Sequence, residues 1–174
     1  MLETLRLIRS DVRAKARWLY ESDSLDAQLK TVATDGTAAM VLYRLMQGAR
    51  RAHLPALEMV FNKLNTTLGG CIIGRGAEFG PGFVLIHAQG VVINGSVRGG
   101  ADVKIEHQVT IGAEGRASPV LGDGVFVGAG AKIIGPVTVG DRARIGANAV
   151  VVHDVPPETT AVGVPAKVLV RTPP

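Results

Sequence analysis

The chain has 174 residues and a formal net charge of +4, with 47% hydrophobic but only 4% aromatic residues. That length suits one domain, or one domain with an appendage, and its core must be aliphatic. The basic excess is mild and mixed with 15 acidic residues; lacking a dense basic run or aromatic stacking residues, it excludes a typical nucleic-acid binder and suits an anionic small ligand. Cys71 is alone, which excludes an intrachain disulfide and points to a reducing compartment. No apolar run approaches a membrane span of roughly 18 residues and no h-region opens the chain, so the cytoplasm is the expected location.

Residues 1–68 read as a helical region. Over 1–21, Leu5, Ile8, Val12, Ala16 and Leu19 recur at helical spacing, and Arg6, Arg9, Arg13 and Arg17 form a solvated basic face. After a break at Ser22–Ser24, a short helix with Leu25, Leu29 and Val32 ends near Gly36. Residues 37–53 place Val41, Leu42, Leu45, Met46 and Ala49 on one face. Pro55 restarts a helix with Leu57, Val60, Phe61, Leu64 and Leu68, which Gly69–Gly70 stops.

A different period begins at Ile73. Every sixth residue to Val151 gives fourteen positions, thirteen of them large and apolar; Leu85, Val103, Leu121 and Val139 are among them. Neither a strand nor a helix repeats in sixes, so the period implies one strand-plus-turn unit stacked on itself, a β-solenoid over 69–157. The preceding helices cap its open end, where a bare coil would expose apolar side chains and strand edges. Residues 115–120, GRASPV, are a polar loop or distorted turn, and Val109 and Leu121 on either side stay in phase. Pro156–Pro157 is expected to break the repeat, with 158–174 folding back along a wall.

This pattern resembles the hexapeptide-repeat family. The resemblance implies an α+β fold: an N-terminal helical cap followed by a left-handed parallel β-helix with three hexads per coil. Residues 18 apart would then stack, placing 85, 103, 121 and 139 on one wall and His107 over Gln89. The runs IHAQGVVING, VTIG, GDGVFVGAGAKIIGPVTVGDRARIGANAVV and VPPETTAVGVPAKV are similar to the serine acetyltransferase-like branch over roughly 70–170. Galactoside- and streptogramin-type acetyltransferases carry their histidine in the loop that here runs from Gly112 to Val120 and contains none. His87 is therefore the expected general base of an acetyl-CoA-dependent O-acetyltransferase, taking the hydroxyl proton as the acceptor attacks the thioester.

Three family partners differ. The Asp before the histidine is Ile86, the orienting Asp matches Ile72, and the second histidine, before a Pro, is Ser118. Glu106 and His107 are the expected catalytic substitutes. The resemblance places the donor against Ala129 and Ala147, with His153 where a Lys often sits, and Lys132, Arg144, Lys167 and Arg171 available to the CoA phosphates. L-Serine is the default acceptor. The missing Asp beside His87 keeps a sugar, polysaccharide or other hydroxyl acceptor open, and a non-catalytic solenoid for binding or assembly is the rival of another class. A zinc centre of the γ-carbonic anhydrase kind needs three convergent ligands; His153 falls on another wall from His87, and no metal is expected. His53, near a helix end, is given no role. The resemblance further implies a homotrimer with sites between subunits. The ending RTPP argues against a complex with O-acetylserine sulfhydrylase.

Overall fold

The computed structural model describes residues 1–169. Four helices come first: α1 (Leu2–Tyr20), α2 (Leu25–Val32), α3 (Thr37–Arg51) and α4 (Pro55–Leu68). Ser24 caps α2 by accepting from the Ala27 N–H, and Pro55 opens α4, where its missing N–H costs nothing. The rest is a parallel β-helix with three walls. The first wall stacks five strands, from Ile72–Ile73 up to Val150–Val151, and the second stacks four, from Glu78–Phe79 to Thr138–Val139. The third runs from Val84–Leu85 through Lys104–Ile105, Phe126–Val127 and Arg144–Ile145 to Thr160–Val162, then adds Lys167–Leu169 antiparallel.

The strict stack of residues 18 apart does not hold. Leu85 pairs with Ile105, not Val103, and Gly99 pairs with Leu121; other pairs, such as Ile93 with Ile111 and Val127 with Ile145, keep the 18-residue step. Two insertions cause this. One adds two residues between Leu85 and Ile93, and the other adds four between Ile111 and Leu121, so together they make one hexad. Between them the sixfold phase lands on Val91, Val97, Val103 and Val109, which sit in the turns. All four are fully buried, because the residue two before each inward strand residue also faces the core. Ile93, Ile105 and Ile111 are the true inward strand positions there.

The Pro156–Pro157 pair shortens the coil without ending it. Val155 still bridges Val139, and Ala161 stacks on Ile145. Among the described residues of the tail, only Lys167–Leu169 doubles back, closing the edge of the third wall.

Helix α3 plugs the open lower end. Its buried face is Met40, Tyr43, Met46 and the polar pair Arg44 and Gln47, packed on Ile73, Phe79 and Phe83, whereas Val41, Leu42 and Leu45 lie only half-buried. Helix α1 lies against the third wall and buries Asp11, Val12, Lys15 and Ala16, with Leu5 and Leu19 left exposed. Polar groups therefore make much of the cap's contact. Arg44 spends all five N–H bonds: two on Asp11, one on Gln47 Oε1, one on Phe79 O at 2.8 Å and one on Gly80 O at 2.6 Å. Asp11 also accepts the Phe83 N–H at 3.0 Å. The Tyr43 hydroxyl donates to Ala77 O and accepts from Gln47 and from the Phe79 N–H. The apolar faces of α2 and α4 stay uncovered within one chain: Leu25, Leu29, Val32, Leu57, Val60 and Leu68 are all exposed.

Removing one partner of a saturated buried pair strands the other charge. Arg44→Met is expected to cost about 3–5 kcal/mol in urea denaturation, and adding Asp11→Leu to it is expected to recover most of that loss.

Candidate active site

The site forms at the corner between the third and first walls. Each coil turns there just after its third-wall strand. The N–H of Gln108 donates to Gln89 O, that of Gly130 to His107 O and that of Asn148 to Ala129 O. Gln89, His107, Ala129 and Ala147 thus form one column along the corner, with about 4.8 Å between coils. The expected seat of His107 over Gln89 is met. His87 belongs to the two-residue insertion just before Gln89 and bulges out beside the column. Its ring lies edge-on to that of His107, with centroids 5.9 Å apart.

Each imidazole has a carboxylate at Nδ1. Glu106 Oε2 lies 3.5 Å from His107 Nδ1 and is buried without a hydrogen-bond partner. Asp35 Oδ2 lies 3.4 Å from His87 Nδ1. Asp35 comes from the turn between α2 and α3, 52 residues away in the chain. Sequence reasoning missed it and gave the supporting role to Glu106 and His107 alone. The available signal was Gly36. Its φ is +75°, and a Cβ there would fall 2.4 Å from the Leu85 carbonyl oxygen, so only glycine lets this turn sit against the coil.

Lys15 ties the two segments together. Its ammonium is fully buried and donates to the Asp35 carbonyl and, at 2.8 Å, to Leu85 O. Burial pushes its pKa down to about 8, against the pull of the Asp35 and Glu106 carboxylates. Lys15 was also missed, since it falls between arginines on a helix read as having a solvated basic face.

The three positions where the resemblance implies polar partners lie as follows. Ile86 is 5% exposed and packs with Ala14, Val84 and the half-buried Phe126 beneath α1, so a side chain at 86 faces the helix. Ile72 lies on the outer side of the first wall. Ser118 donates to Asn94 Oδ1 at 3.3 Å, across the first wall from His87.

The expected donor residues divide. Ala129 and Ala147 continue the column above His107, and their methyl side chains leave the corner open as a shelf. Lys132 donates to Gln108 O at 2.6 Å beside that shelf. Lys167, paired with Val162, lies past its upper end. Arg144 stacks over the Phe126 ring on the outer third wall, 4.5 Å from its centroid. His153 is exposed at another corner, between the first and second walls, away from both histidines. Arg171 lies outside the described residues. Among the described residues, no three His, Cys, Asp or Glu side chains group to hold a metal ion, and no helix is long and apolar enough to cross a membrane.

The folded Lys15 amine loses its proton near pH 8 and the unfolded one only near 10.5, so between those values the unfolded chain binds more protons and folding stability rises with pH. Wild type is therefore expected to gain stability relative to Lys15→Met between pH 8 and 10, read as the difference between paired urea melts.

The family model for the bacterial transferase hexapeptide (six repeats) matches residues 118–153. The chain is 40% identical over 170 residues to a serine acetyltransferase of Helicobacter pylori strain J99, covering 95% of this chain and 94% of that protein. The serine acetyltransferase structure from Neisseria gonorrhoeae superposes with a TM-score of 0.88 at 31% identity, covering 98% of this chain and 66% of that one. A serine acetyltransferase solved in complex with CoA gives 0.87 at 30% identity, over 97% of this chain and 70% of that one. The fold is a helical cap followed by a left-handed parallel β-helix, as the repeat pattern and its resemblance implied.

Proposed function

Since the chain belongs to the serine acetyltransferase family of hexapeptide-repeat proteins, we propose that it transfers the acetyl group of acetyl-CoA to the hydroxyl of L-serine, with His87 as general base. One observation carries the assignment of the base: His87 stands at the foot of the Ala129–Ala147 shelf with a carboxylate, Asp35, 3.4 Å from its Nδ1. Asp35 accepts the Nδ1–H, which leaves Nε2 free to take a proton and favours the imidazolium once it forms. Nε2 removes the acceptor's proton as its oxygen attacks the thioester carbonyl. The donor arm lies along the shelf, where side chains no larger than methyl let it approach the backbone, and Lys132 and Lys167 are the cations that meet its phosphates. Holding acceptor and donor at one corner supplies much of the remaining rate.

The assembly is a homotrimer with the corner facing a neighbouring subunit. The uncovered apolar residues of α2 and α4 support association of this cap with further surface. The protein acts in the cytoplasm, which the absence of paired cysteines supports.

A second reading keeps the chemistry and changes the acceptor. With Ile86 buried beneath α1, the carboxylate that the resemblance expects beside the histidine is not there to hold an amino group, which favours a neutral hydroxyl such as that of a sugar.

Thiol release from acetyl-CoA, measured with L-serine and with a panel of sugars and nucleotide sugars, separates the two. Serine turnover that His87→Ala lowers by about 10²–10⁴-fold is the expected result. Turnover on a sugar alone selects the second reading, and the absence of CoA binding rejects the transferase. Ala129→Leu and Ala147→Leu, which fill the shelf, are expected to raise KM for acetyl-CoA while the KM for the acceptor stays within a few-fold.

A further inference from the structure

The proposed chemistry uses one imidazole, yet the corner carries two. His107 occupies the column itself, directly below Ala129 and beside the bulged His87. Glu106 supports it with a buried carboxylate oxygen that has no hydrogen-bond partner of its own. Such an orphaned acceptor is expensive unless a donor or a positive charge faces it. The neighbouring His107 Nδ1 at 3.5 Å is the nearest such group, and the buried Lys15 ammonium also attracts the carboxylate.

Position along the column separates the two rings. A donor arm descending past Ala147 and Ala129 reaches His107 first and His87 one coil later. The thioester sulfur precedes the acetyl carbon along that arm. The sulfur therefore lies by His107 when the acetyl carbonyl lies by His87.

We propose that His107 is a second catalytic residue, the proton donor to the departing CoA thiolate, with Glu106 holding its Nδ1. The inference rests on the transferase reading above. The acceptor oxygen forms its bond to the carbonyl carbon while its proton passes to His87 Nε2. The C–S bond of the tetrahedral adduct then breaks, its electron pair goes to sulfur, and His107 Nε2 gives sulfur a proton. His87 ends with one proton more and His107 with one fewer. Transfer between the rings, 5.9 Å apart, through one water restores both.

A general acid matters only where the leaving group needs a proton. The test compares two acetyl thioesters that lack the nucleotide: S-acetyl-N-acetylcysteamine, with a basic alkyl thiolate, and S-acetyl-4-nitrothiophenol, whose thiolate is weakly basic. His107→Gln is expected to lower kcat on the alkyl donor by about 10²-fold, at the low end for a positioned proton donor, and on the aryl donor by less than about threefold. Glu106→Gln is expected to show the same selectivity with a smaller loss. His87→Ala is expected to impair both donors alike. Equal losses on both donors for His107→Gln, or no loss on either, overturn the proposal: the first makes His107 a positioning residue and the second a bystander. Full activity of His87→Ala instead defeats the assignment of the base, and the donor selectivity of His107→Gln in the wild-type background still decides the role of His107. The two imidazoles are about half exposed, so His87→Ala and His107→Gln are expected to fold, and unchanged thermal melts check this for all three variants.

Discussion

The buried ion pair between Asp11 and Arg44 is the joint on which the molecule depends. Both side chains are essentially without solvent exposure, at 1% and 0%. Desolvating two charges costs several kcal/mol each, and their attraction offsets this only when the remaining polar atoms are satisfied. Here they are: the guanidinium has no free N–H and the carboxylate also takes a backbone donor from the first coil. Three elements meet at this point, α1, α3 and the Phe79–Phe83 turn. Its directionality fixes how the helices sit on the solenoid, which apolar contact alone would leave free to slide.

The site inherits that orientation. Lys15 follows Asp11 by one helical turn and so faces the same wall. Once Asp11 is seated, Lys15 reaches the carbonyls of Leu85 and Asp35. That contact brings the α2–α3 turn to the third wall and places the Asp35 carboxylate at His87. The cap thus does more than cover an open end: it supplies the charged groups that a wall of Val and Ile cannot.

The solenoid contributes the complementary property, a rigid ladder whose corners repeat from coil to coil. Chemistry collects where the repeat is broken. The two-residue insertion after Leu85 carries His87 out of the corner column, while the column itself offers His107, Ala129 and Ala147 in order. A regular coil has no free position for an outward bulge, because its turns stack directly. The four-residue insertion makes the other break and carries Ser118 to the far edge of the first wall. Ile86 packs under α1, and the carboxylate at His87 comes instead from Asp35 in the cap.

Much of this was legible in one dimension. The six-residue period identified the solenoid, Pro55 and the Gly69–Gly70 pair bounded the last helix, and His87 stood out as polar in an apolar run. Those features are local, set by backbone geometry and by alternation of inward and outward side chains. The register was not legible, because insertions of two and four residues total one hexad and return the pattern to phase above Leu121. The buried faces of α1 and α3 were also misread, since Asp11, Lys15 and Arg44 count as surface residues until partners are seen. Their partners on other elements lie 20 to 72 residues away in the chain. The repeating unit and the histidine follow from the local pattern of residues. Which carboxylate meets that histidine, and which side chains share its corner, follows from the folded chain, because long-range hydrogen bonds between charged groups leave no periodic trace in it.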